Sequence, residues 1–157
     1  MEQTVYHTSL ICLNGHVETT WMEIAPPTPY CSICGESTIS TCPNCDASIR
    51  GMIDGIVSLA DEPPPQFCHN CGQPYPWTGR ALEAADELVD ELDKLSDEEK
   101  ELLKKSINEL LTDTPQTIVA ATRFKKLLLK AGDKTAAALK ELVIQVVAET
   151  TKRMLTG

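Results

Sequence analysis

Hydrophobic and polar positions divide the chain into two stretches with different rhythms. From Thr78 onward, apolar residues recur at three- and four-residue spacing, the period of amphipathic helices. Leu82, Ala85, Leu88, Val89, Leu92 and Leu95 form a first stripe, with acids on the opposite face. Ser96 is a hydroxyl N-cap with Glu99 three residues on, the capping-box pattern. A second stripe follows: Leu102, Leu103, Ile107, Leu110 and Leu111. Asp113-Thr114-Pro115 marks a stop and a restart, with Thr114 as cap and Pro115 in the first helical position. Ile118, Phe124, Leu127 and Leu128 define a third helix, closed by Gly132. Asp133 caps a fourth, with Leu139, Leu142, Val143, Val146 and Val147 facing inward. The pattern predicts four amphipathic helices joined by short turns, a small bundle over residues 79–157.

Before residue 79 that period is absent, and short β-prone runs alternate with proline-rich loops. One passage runs VETTWMEI, then APPTP, then YCSICG; a second runs IRGMIDGIVSL, then DEPPP, then FCHNCG. Both read as the same plan of short hairpin, loop and metal knuckle. The expected fold class is α+β, small and metal-binding. Tandem zinc ribbons occupy residues 1–78, ahead of the helical region.

All seven cysteines lie in the first stretch. Six form CxxC pairs, Cys31 with Cys34, Cys42 with Cys45, and Cys68 with Cys71. The odd count and the lack of an export signal favour metal over disulfides. A CxxC turn aims two sulfurs at one ion, and a residue tolerant of left-handed backbone just after it completes the turn. Gly35, Asp46 and Gly72 stand there. Three pairs supply six ligands, whereas structural zinc takes four per ion, so two further ligands are needed. Cys12 is one. His16, in CLNGH, is the natural other, because an imidazole outreaches a thiol and suits the longer gap. His7 lies five residues upstream on an expected strand, and His69 sits inside the last knuckle facing solvent.

The expected sets are Cys12, His16, Cys31 and Cys34 at site 1, and Cys42, Cys45, Cys68 and Cys71 at site 2. They hold two Zn2+ per chain. A RING-like cross-brace would instead share ions between alternate pairs. Such domains place their second and third pairs almost touching, whereas seven residues separate Cys34 from Cys42, so the tandem arrangement is preferred. A module this short, with scattered apolar residues, needs its ions to fold.

Charge and composition narrow the function. Residues 1–78 carry eight acids and one base, Arg50, a balance of −7, and the remainder carries −2, within a total of −9. That scarcity of cations argues against nucleic acid as the main partner. A nucleic-acid-associated factor using the basic helix at 115–131 is the alternative. MEQTVYHTSL holds no lysine or arginine, and runs such as LVIQVVA are far too short to span a bilayer. The expectation is a cytoplasmic protein with no membrane attachment.

Both sites close with protein ligands, and there is no Ser-His-Asp set or phosphate-cradling glycine loop, so the reading is non-catalytic. A rubredoxin-like iron site is a poor match because of the histidine ligand. A protein-interaction adaptor or regulatory module fits better, with self-association through the helical region left open. Tyr75 and Trp77, in CGQPYPW, read equally as a docking surface or as packing. Arg123, Lys125, Lys126 and Lys130 read as a solvated face paired with the acidic first helix, or else as a docking site for an acidic partner.

The wording and order of ICLNGHV, CSICGESTISTCPNCDASIRG, FCHNCGQPYPW and DTPQTIVAATRFKKLL resemble a bacterial family called domain of unknown function 2321. The resemblance covers nearly the whole chain. It implies a bacterial cytosolic origin and zinc-ribbon character, and it adds no activity.

Overall fold

The computed structural model describes residues 3–56 and 62–157. It divides into two compact units, Met1–Arg80 and Ala81–Gly157.

The first unit is built of very short strands. β1 (Tyr6–Thr8) pairs antiparallel with β5 (Arg50–Ile53). β2 (Leu10–Cys12) lies between β3 (Val17–Thr19) and β4 (Thr38–Ile39), both antiparallel to it. Within VETTWMEI, β3 gives way to a 3-10 turn at Met22–Ile24. Residues 57–59 of the expected IRGMIDGIVSL segment lie outside the described residues. β5 runs so close to Thr20 that a Cβ on Gly51 would sit 2.0 Å from its carbonyl oxygen. That oxygen accepts the Met52 N–H at 3.1 Å, which only glycine at position 51 permits. The core of this unit is Ile11, Ile49, Tyr75 and Trp77 together with Cys42 and Cys68.

Of the two readings of Tyr75 and Trp77, docking surface or packing, their burial supports packing. They are 1% and 5% exposed, stacked with ring centroids 4.8 Å apart. The Trp77 indole N–H donates to the Pro65 carbonyl at 2.9 Å. A unit with few aliphatic residues fills its interior with these rings, and their polar tips find partners inside.

Five helices follow: α1 (Pro76–Asp90), α2 (Asp97–Leu110), α3 (Gln116–Ala131), α4 (Lys134–Val146) and α5 (Glu149–Thr156). The capping box of α2 is present, Ser96 and Glu99 each satisfying the other's backbone N–H. α3 begins one residue later than expected, yet the Thr114 hydroxyl still accepts the Gln116 N–H at 3.2 Å. Gly132 closes it at φ 57° and Asp133 caps α4. The expected four helices become five because backbone at Val147 and Ala148 turns extended. The run VIQVVAETT is rich in β-branched residues, which hold helix poorly.

The second core gathers Leu92, Leu103, Ile107, Leu110, Phe124, Leu139 and Val143 from α2 to α4 and the turn before α2. Two expected core residues are exposed, Leu102 at 37% and Ile118 at 62%. The buried face of α3 is instead carried by Thr117, Ala120, Ala121, Phe124, Leu127 and Ala131. Among the described residues no helix is long and apolar enough to cross a membrane.

Candidate metal centres

Each CxxC pair folds by one rule. The carbonyl of the first cysteine accepts the N–H four residues on: Gly35 to Cys31, Asp46 to Cys42 and Gly72 to Cys68, all at 2.9 Å. Each first cysteine's own N–H donates to the carbonyl five residues on, at Glu36, Ala47 and Gln73. Gly35, Asp46 and Gly72 take φ of 76°, 65° and 74°, the left-handed turn that brings both sulfurs to one side. CLNGH is tighter by one residue. There the Cys12 carbonyl accepts Gly15 N–H at 2.9 Å and Cys12 N–H donates to the His16 carbonyl at 3.0 Å. This turn joins β2 to β3, so its second ligand starts farther from the ion, and an imidazole covers the distance. A Cβ on Gly15 would lie 3.0 Å from Trp77 Cβ, which seats the turn on the unit's core.

The turns bring together Cys12, His16, Cys31 and Cys34 in one group and Cys42, Cys45, Cys68 and Cys71 in a second. Within each group the four ligand atoms lie within 4.8 Å of one another. The pairing is tandem, not cross-braced. His7 and His69 belong to neither group. The His7 ring stacks on Trp21 with centroids 4.1 Å apart and contacts Asp54 through Nε2 at 3.0 Å. His69 is exposed.

The spacing fits a tetrahedral ion. Metal–thiolate bonds of about 2.3 Å require sulfurs about 3.8 Å apart, and an imidazole nitrogen about 3.6 Å from a sulfur. Cys12 and Cys34 Sγ are 3.8 Å apart, Cys42 and Cys71 3.8 Å, and Cys45 and Cys68 3.6 Å. His16 Nδ1 stands 3.4 Å from Cys12 Sγ and 3.7 Å from Cys31 Sγ. Each group thus fits one metal ion, two per chain, and all seven thiols are free.

Electrostatics differ among the sulfurs. Burial pushes Cys31 and Cys42 up to about 11. The Glu36 N–H, with the Asn14 amide, holds Cys34 down to about 6, and the Cys71 N–H does the same for Cys68. Metal-free groups therefore mix thiol and thiolate at neutral pH, and an entering ion must displace the remaining protons.

One set of residues escaped the sequence reading. Asn14, Asn44 and Asn70 each stand two residues after the first cysteine of a turn. Each donates its amide across the site to the opposite turn: Asn14 to Cys34 at 3.5 Å, Asn70 to Cys45 at 3.5 Å, and Asn44 to Cys71. Arg80 fixes the first of these, binding Asn14 Oδ1 at 2.7 Å and Glu36 at 2.9 Å. In the remaining turn the position is Ile33, 71% exposed. By the same register the group opposite it is His16, an imidazole that gains nothing from an N–H donor. The recurring asparagine after cysteine was the available signal. Asn70→Ala is expected to weaken the second site about tenfold, whereas Ile33→Asn leaves the first unchanged. Competition against a chromophoric chelator measures both.

A family model spans residues 5–155, that of an uncharacterized protein conserved in bacteria, DUF2321. The chain belongs to this family. No curated protein and no solved structure matches the chain. The chemistry of this DUF2321 member lies in its own two ligand groups. The remaining expected residues lie on α3. Lys130 pairs with Glu99 of α2 at 2.7 Å, not with the first helix. Among the described residues, Arg123, Lys125 and Lys126 have no carboxylate within 4.0 Å.

Proposed function

We propose that the protein is a zinc-binding, non-catalytic adaptor or regulatory module of the cytoplasm, carrying two Zn2+ per chain. The observation that carries this reading is closure. Each group offers four protein ligands, so a tetrahedral ion has no open position for water or substrate. Zinc suits the mixture of thiolates and one imidazole, and supplies cross-links between loops that lack a large core of their own. Reduced thiols are the rule in the cytoplasm, where such ligands persist. Rigid loops in turn present side chains to a partner at little entropic cost.

The cations of α3 favour a second reading, a nucleic-acid-associated factor working through residues 115–131. Its mark is salt-sensitive retention on DNA or heparin. The first reading is tested by elemental analysis of purified protein, with two zinc per chain expected. Affinity capture from the host follows, with a defined protein partner expected. One ion or none, or a coloured iron protein, sinks the zinc assignment; salt-released nucleic acid as the sole companion sinks the adaptor.

A further inference from the structure

The outer face of α3 is unlike the rest of the helical unit. Ile118, Thr122 and Leu129 fall on one line along it, at helical spacings of four and seven residues. Ile118 is 62% and Leu129 82% exposed. A second line beside it carries Val119, Arg123, Lys126 and Lys130. Leu129 also borders a groove of about 400 Å³ formed with α4 and α5. Phe124, Ala136 and Leu155, all buried, line it, and Lys125 and Lys140 bring cations to it. Its acid, Asp133, is committed as the cap of α4, accepting the Ala136 N–H at 2.9 Å.

Charge complementarity selects the occupant. Arg123, Lys125, Lys126 and Lys140 have no carboxylate within 4.0 Å among the described residues, in a chain of net charge −9. Nucleic acid would use the cations and leave the exposed leucine and isoleucine idle. A membrane surface would need a broad apolar helix face, and that face of α3 is spent on the unit's own core. An acidic amphipathic helix uses both lines, its apolar anchors entering the groove and its carboxylates meeting the lysines and arginine.

We propose that the outer face of α3 and its adjoining groove form the docking site for an acidic amphipathic helix of a protein partner. This rests on the adaptor reading and names the surface through which it acts. The test uses the full, metal-loaded chain, labelled for NMR. The probe is a synthetic helical peptide of about 18 residues, with leucine at anchor positions and glutamate elsewhere. Its twin carries lysine for glutamate.

Saturable binding of the acidic peptide, with shifts confined to residues 118–140 and 155, is expected. Lys125→Glu with Lys126→Glu should weaken it roughly tenfold, and Leu129→Ser should weaken it while helical circular dichroism stays intact. Equal binding of the lysine twin, shifts elsewhere, or no saturation overturns the proposal. So does self-association through this face, or anionic vesicles or duplex DNA binding it in preference to the peptide. A host partner captured equally by wild type and the Lys125→Glu, Lys126→Glu variant overturns the docking site and spares the adaptor reading. Peptide binding with no host partner overturns the adaptor reading alone.

Discussion

Stripping the metal with a strong chelator is expected to unfold the N-terminal unit and leave the helices of the other standing. The strands of the first unit are two to four residues long. Its buried cluster is six residues, two of them ligands. Structural zinc contributes on the order of 10–16 kcal/mol per ion, more than a whole small domain's usual net stability of about 5–15 kcal/mol. The second unit has no cysteine and packs sixteen buried residues into one cluster. The two responses are separable by eye of the right spectrometer. Both tryptophans, Trp21 and Trp77, belong to the first unit, so their emission should shift red on chelation. The helical far-ultraviolet signal should fall only modestly. Loss of both signals in one transition would show that the units do not stand apart.

His16→Ala is expected to release one ion and spare the other under competition from a chelator, taking the metal content from two to one. Its first group would retain three thiolates and an open position, and the thiolates would no longer be drawn around a filled tetrahedron. Cys68→Ser should do the converse at the second site. His7→Ala and His69→Ala should release neither ion, since both rings lie outside the ligand groups. His16→Cys should restore little, because a thiol at that position falls short of the distance the imidazole covers. Native mass spectrometry counts the ions directly. Loss of both from His16→Ala would mean that the groups do not hold their ions separately.

The ligand groups were legible because chemistry fixes them twice, by residue type and by spacing. A CxxC turn has few ways to fold, and the seven residues between Cys34 and Cys42 leave β4 room to pair with β2. The helices were legible from period and caps. What escaped was decided by packing. Tyr75 and Trp77 beside prolines left docking and packing equally open, and a unit poor in aliphatics buries them. Ile118 looks like core, yet Ala120, Ala121 and Thr117 let α3 approach its neighbours closely, and hydropathy undervalues such small residues. The amide donors escaped because asparagine in a turn is ordinarily explained by backbone conformation.

The shared interior of the first unit has a consequence for metal supply. Ile11 adjoins Cys12, Val17 adjoins His16, and both pack in the cluster that holds Cys42 and Cys68. Ordering that interior is a cost met largely by whichever ion arrives first, so the second binds a chain already organised. Linkage makes the help mutual. When metal is scarce, native mass spectrometry is expected to find chains holding both ions and chains holding neither, with few between. Availability of the ion then sets how many copies are competent, and each competent copy is complete.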